Sequence, residues 1–149
     1  MFVGKQSRAD KQKCFSKMIK TGVLGEDIAS KFLENKGFFI ISRNYRKKYG
    51  EIDVIAKDLK GVLVFVEVKT VFSRLDGGGI SPEDELSFSK IEKTRRISEA
   101  FANSHPELMN ERVGWRIDAI GITLPPGLNV ENLPKNLMDV VEIRHHENI

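Results

Sequence analysis

Apolar residues recur at helical spacing over residues 23–36, where Leu24, Ile28 and Phe32 stand at i, i+4 and i+8 with Ala29 and Leu33 beside them. Gly37 follows where a left-handed C-terminal residue belongs. The spacing predicts a helix with one core-facing stripe. Glu26 lies three and seven residues before Ala29 and Leu33, at the edge of that stripe, and Asp27 points outward toward Lys31. The period then changes to that of strands over residues 38–45, 51–57 and 62–71, with a turn at 47–50 and another at Leu59-Lys60-Gly61. Residues 62–66 are apolar without alternation, as in a central strand covered on both faces, and the run is then broken by Glu67-Val68-Lys69. Asp76-Gly77-Gly78-Gly79 reads as a loop and lacks the Gly-Lys-Ser/Thr of a phosphate-binding P-loop. Ser81-Pro82 has the form of a helical N-cap followed by proline. A second helix over residues 89–103 carries Thr94, Ile97 and Phe101 on one line with Lys90 at its head, where a lysine either snorkels or points into a site. Strands at 115–124 and 139–145 complete the pattern. The prediction is an α/β fold: a mixed sheet, its first three strands an antiparallel meander, flanked by helices on both faces.

The hairpin between the second and third strands can be registered from its turn. A three-residue loop ending in a left-handed Gly61 pairs Asp58 with Val62, which brings Asp53 opposite Glu67 and Glu51 opposite Lys69 on one face. A two-residue loop would put Asp53 and Glu67 on opposite faces. Two carboxylates set against each other repel, and a divalent cation between them is the usual remedy. Oxygen donors without His or Cys favour Mg²⁺ or Mn²⁺ over Zn²⁺. Lys69 beside them could orient a water or stabilise charge developing on a phosphate. A salt-bridged structural cluster of Asp53, Glu67 and Lys69 is the alternative reading of the same spacing.

Composition narrows the class. The chain has 149 residues, 40% hydrophobic and 30% charged, enough for one core and too apolar for disorder. No apolar run approaches the ~20 residues of a membrane-spanning helix, and no secretory h-region is visible at the start, so a cytoplasmic protein away from the membrane is expected. One cysteine, Cys14, rules out an intramolecular disulfide and a multi-cysteine zinc site. The net charge of +3 is uneven: residues 1–20 hold six Lys and Arg against Asp10, a charge of +5 that leaves the remainder at −2. This basic arm in front of a single domain at residues 21–149 is either a phosphate-binding tail or a solvated, poorly ordered terminus. Two further basic clusters lie inside the domain, Arg43, Arg46, Lys47 and Lys48, and Lys90, Lys93, Arg95 and Arg96.

The segments Leu24-Gly25-Glu26-Asp27-Ile28-Ala29, Arg43-Asn44-Tyr45-Arg46, Gly50-Glu51-Ile52-Asp53-Val54-Ile55-Ala56 and Val64-Phe65-Val66-Glu67-Val68-Lys69-Thr70 resemble the YraN family of bacterial proteins. That family is in turn similar to archaeal Holliday-junction resolvases and to the restriction-endonuclease-like PD-(D/E)xK nucleases. The resemblance covers about residues 24–101, continues weakly to Ile120, and omits the basic arm. It implies a restriction-endonuclease-like sheet and a Mg²⁺- or Mn²⁺-dependent endonuclease on branched or structured DNA. It further implies that Asp53 and Glu67 ligate the metal, that Glu26 holds it directly or through water, that Lys69 serves the attacking water, and that the protein forms a homodimer. Lys90 matches a helical Lys or Gln of some relatives, and Arg43, Arg46, Lys47, Lys48 and Lys90 are the candidate nucleic-acid contacts. Ile52 stands where the nuclease signature often has Pro, and Thr70-Val71 where this family often has a basic residue.

Two other functions fit the same residues: a non-catalytic DNA-binding protein that keeps the fold, and a protein-interaction module with a structural acidic cluster. The tandem His145 and His146 are expected to be solvent-exposed. Asp118, between Ile117 and Ala119, either extends the acidic site or partners a basic group.

Overall fold

A computed structural model describes residues 7–149. Helix α1 (Arg8–Asn35) is followed by strands β1 (Phe39–Lys47), β2 (Gly50–Lys57) and β3 (Leu63–Phe72), and then by a 3-10 turn (Pro82–Glu85). Helix α2 (Phe88–Ser104), a second 3-10 turn (Pro106–Leu108), strand β4 (Trp115–Leu124), the single turn α3 (Leu137–Val140) and strand β5 (Glu142–His146) complete the chain. The five strands form one sheet in the order β1-β2-β3-β4-β5. The first two pairings are antiparallel, β3 and β4 run parallel, and β5 returns antiparallel to β4. This is the expected mixed sheet with its three-strand meander, and α2 is the crossover that a parallel pair requires.

The sheet carries a core on each face. On one, Leu24, Ile28, Ala29 and Leu33 of α1 pack on Val54, Ala56, Val64, Val66 and Ile120. On the other, Ile97 and Phe101 of α2 pack on Ile52, Ile55, Leu63, Phe65 and Ile117. Central strand β3 therefore buries both its faces, which is why residues 62–66 show no alternation. Phe65 anchors the second core through edge-on contacts to Phe101 and Trp115. Among the described residues no helix is long and apolar enough to cross a membrane.

Three elements differ from expectation. Helix α1 begins at Arg8 rather than near residue 23, because Ser7 and Asp10 form a reciprocal capping box that starts it. Residues 8–20 of the basic arm are thus helical, and its residues 1–6 lie outside the described residues. Asp27 faces Arg43 of β1, with Nη2 donating to Oδ1 at 2.6 Å, instead of Lys31. Asp139 and Val140 belong to the turn α3, and β5 starts only at Glu142.

Gly25 sets the approach of α1 to the sheet. A Cβ at this position would stand 1.8 Å from Thr70 Oγ1 and 3.0 Å from Thr70 Cβ on β3. The overlap outweighs the helix propensity an alanine brings. Gly25→Ala is expected to lower stability by about 1–3 kcal/mol in urea denaturation, and Thr70→Ala in the same chain to recover part of the loss. An unchanged midpoint for Gly25→Ala would show that the helix can shift at no cost.

Candidate functional site

The β2–β3 ladder runs from Lys57 opposite Leu63 to Val54 opposite Val66, the register set by the three-residue loop with Gly61 left-handed at φ 81°. Backbone pairing stops there. One position further, where Asp53 comes opposite Glu67, the Asp53 carboxylate replaces the ladder and accepts the Val68 N–H on Oδ2 at 2.7 Å. On the other side of β2, Asn44 of β1, between the pairs Arg43–Val54 and Tyr45–Ile52, adopts a left-handed φ of 52°, which Asn tolerates better than most residues. Strand β2 slips phase at this point, so that Ile52 and Ile55, three residues apart, both join the core under α2. Asp53 sits at the slip, where the two strands part.

Glu67 is 2% exposed and Asp53 9% exposed, and the charge of Asp53 acts on the Glu67 carboxyl. Helix α2 addresses the pair from one side. Lys90 Nζ is 2.5 Å from Glu67 Oε1, an ion pair that sets a cation against the buried carboxylate. Thr94 Oγ1 stands 3.2 Å from Glu67 Oε2 and 3.1 Å from the Lys90 carbonyl, sharing one proton between them. Burial, and then the charge of Asp53, push the Glu67 carboxyl up to about 7 against the opposing pull of Lys90 and Thr94. Burial also raises Asp53, with the Val68 N–H and Lys90 opposing it. Lys90 loses hydration, but its contact with Glu67 outweighs this and holds the ammonium charged.

The other predicted site residues stand further out. Glu26 on α1 accepts a hydrogen bond from Asn44 Nδ2, and its carboxyl is raised by burial and by the Asp53 charge, with Asn44 opposing. It faces the pair electrostatically, yet among the described residues no three His, Cys, Asp or Glu side chains gather closely enough to form a ready metal-binding group. Lys69 does not meet Glu51. Its ammonium is 2.5 Å from Glu85 Oε2, and Glu51 takes Arg46 at 3.5 Å. The reason is the parting of β2 and β3 beyond Val54 and Val66, which removes the cross-strand neighbourhood that regular pairing would have given. The donor set nonetheless suits a hard divalent cation: two buried carboxylates, the charge of Asp53 acting against that of Glu67.

Of the predicted nucleic-acid contacts, Arg46, Lys47, Lys48 and Lys90 come together. With Lys93 they line a cleft of about 590 Å³ between the β1–β2 turn and the first turns of α2, whose residues Lys90 and Thr94 also contact Glu67. Arg43 is set apart by its ion pair with Asp27.

Asp118 does not extend the acidic site. Fully buried on β4, it receives Arg116 through Nε at 2.9 Å and Nη2 at 3.2 Å, and the Asn148 N–H at 2.9 Å. Arg116 Nη1 also donates to Asp58 at 2.6 Å. His145, expected at the surface, has a side chain only 4% exposed, between Phe32 and Phe38. Lys36 donates to its Nδ1 at 2.9 Å, which leaves the ring proton on Nε2 to donate to Asp118 at 2.8 Å. His146 is half exposed and contacts Glu83 at 3.0 Å. A single buried acid on a strand next to a histidine-bearing strand was the signal for this network, and it was readable only once β4 and β5 were paired.

A solved structure described as Pyrococcus furiosus SfsA in complex with Ca²⁺ is similar over 88% of this chain at 17% identity and a TM-score of 0.36, and the match spans 63% of that protein, less than two thirds of its length. Closer likeness is found in sequence. A UPF0102 protein of Dictyoglomus turgidum is 40% identical over 117 residues, covering 76% of this chain and 92% of the relative. One of Desulforamulus reducens is 38% identical over 101 residues, covering 68% and 79% respectively. With the family model matching residues 25–122, from the start of the buried part of α1 into β4, the chain belongs to the uncharacterised protein family UPF0102.

Proposed function

We propose that the protein is a divalent-cation-dependent endonuclease that hydrolyses phosphodiester bonds in structured or branched DNA. The observation that carries this reading is the buried Asp53–Glu67 pair, two acids raised by burial, with Lys90 joining the pair to a lysine-lined cleft. Asp53 and Glu67 would hold a Mg²⁺ or Mn²⁺ ion, with Glu26 reaching it through water. When bound, such an ion offsets the repulsion of the acids and lowers the pKa of a coordinated water. Lys90 keeps the pair partly neutralised, and Thr94 fixes the orientation of Glu67. Lys69, two residues along β3 from Glu67, supplies a second ammonium for charge developing on the phosphate. Arg46, Lys47 and Lys48 hold the DNA backbone. Water adds to phosphorus, the P–O bond to the leaving oxygen breaks, and that oxygen takes up a proton.

Labelled four-way junctions, flaps, single strands and duplexes incubated with Mg²⁺ or Mn²⁺ test the reading. Cleavage abolished in Asp53→Ala is expected, and no product above that control on any substrate overturns it. The separation of Glu26 from the inner pair favours one other reading, a DNA-binding protein without catalysis. Salt-dependent DNA binding that a chelator leaves unchanged, with no product, selects it. By the family resemblance we further propose a homodimer, for which sedimentation equilibrium is the measurement.

A further inference from the structure

We infer that Glu85 is a positioning residue for Lys69: carried on the Pro82–Glu85 turn, its carboxylate fixes the Lys69 ammonium at the cavity that Glu26 also lines. This rests on the part proposed above for Lys69 and adds what keeps that side chain in place. A lysine carries a point charge on a flexible four-carbon stem, which serves a developing charge only where something holds it. Regular strand pairing does not hold this one. On one side β2 and β3 part beyond Val54 and Val66, and Glu51 takes Arg46 instead. On the other, the β4 residue opposite Lys69 is Gly121, which has no side chain to offer. The turn occupies the space this leaves: a Cβ on Gly121 would stand 2.9 Å from Glu83 Oε1 and 3.0 Å from Pro82 Cβ. Gly121 thus seats the turn on the same rung as Lys69, and Glu85 Oε2 reaches Nζ at 2.5 Å.

The turn is fastened apart from that ion pair. Ser81 and Asp84 close a reciprocal capping box, Pro82 is buried, and Glu83 Oε1 lies 3.0 Å from His146 Nε2 on β5. Glu85 is therefore presented by a seated element. With Glu26 and Lys69 it lines a cavity of about 400 Å³. The two side chains of the pair are 36% and 37% exposed, so their contact adds little to stability, and its effect is to place the charge.

Single-turnover cleavage under enzyme excess, where slow variants stay measurable, tests the inference on whichever junction, flap, single strand or duplex the wild type cuts. Glu85→Gln is expected to lower the saturated rate by roughly 10- to 100-fold and to move the half-saturating concentration by less than about threefold, since the contact serves the transition state and not substrate binding. In a Lys69→Met background the same substitution should change the rate by less than about twofold, because the group it positions is gone. Glu85→Gln should melt within about 4 °C of the wild type and keep the rise in melting temperature that Mg²⁺ gives at pH 8, Asp53 and Glu67 being untouched. An unchanged rate in Glu85→Gln overturns the inference and leaves the endonuclease reading standing, as does a faster one, which would make the carboxylate a mask on the lysine. An equal loss in the Lys69→Met background, a loss carried by the half-saturating concentration alone, or a variant that melts far lower or no longer responds to Mg²⁺ overturns it likewise. No cleavage of any substrate by the wild type removes this inference and the endonuclease reading together.

Discussion

Arg116→Met is expected to cost about 3–5 kcal/mol of unfolding free energy, because it leaves the Asp118 carboxylate fully buried without its cation. The guanidinium binds Asp118 through two nitrogens and Asp58 through a third, so one substitution strips three charge-assisted contacts. Burial alone would raise Asp118. The bonds from His145, Arg116 and the Asn148 N–H together outweigh it and hold the carboxyl below its ordinary range. That depression is a stabilising contribution present above the carboxylate range and lost as pH falls through the lowered pKa. The double variant Arg116→Met, Asp118→Asn should recover much of the loss, since it removes the charge along with its partner. Urea denaturation of the single and double variants is the measurement, and a single-variant cost below about 1 kcal/mol would mean that the bonds from His145 and the Asn148 N–H suffice to hold the acid without the guanidinium.

Glu67→Gln is expected to act in the opposite sense. A carboxyl raised from the ordinary range to about 7 binds its proton more tightly in the folded protein than in the unfolded chain. Its stabilising contribution is therefore complete below about pH 4.5 and declines as pH rises to about 7, above which the penalty is constant. The shift corresponds to at most about 3 kcal/mol, and Asp53 and Glu26, also raised, slope the same way. Glu67→Gln removes the ionisation and keeps an oxygen for Thr94. Lys90, with a side chain 43% exposed, returns to water at small cost. The variant should thus melt higher than the wild type at pH 8 and match it near pH 4.5. Mg²⁺ should raise the wild-type melting temperature at pH 8, where the acids are charged, and leave the variant nearly unchanged. A variant that melts lower at pH 8 would show that the Lys90 contact is worth more than the repulsion it relieves.

Much of this was legible in the sequence, and the limits have local causes. The turn at Leu59-Lys60-Gly61 set the hairpin register, and the register set Asp53 against Glu67, because strand pairing follows from one well-chosen turn residue. Glu26 at a stripe edge and Lys90 at the head of a buried line were likewise readable from helical period alone. Extrapolating the same ladder to Glu51 and Lys69 failed because it assumed regular pairing, and the left-handed Asn44 that accompanies the break lies on the neighbouring strand. Helix α1 was read too short since residues 8–20 bury nothing, leaving only the Ser7–Asp10 cap to mark its start. His145 was misread because its partner, Asp118, is distant in sequence and reaches it only through the β4–β5 pairing.

The slip at Asp53 has an evolutionary side. Glu26, Asp53 and Glu67 all reside within residues 26–67, on α1 and the β2–β3 hairpin, whereas the chain between β3 and the Pro82–Glu85 turn is mostly exposed. Residues 73–80 lie by Pro126–Leu128, Thr123, Glu142 and Arg144, so that stretch can be lengthened or recomposed without disturbing how the acids are held. Length variation is thus tolerated in one peripheral stretch while the positions of the three acids stay fixed.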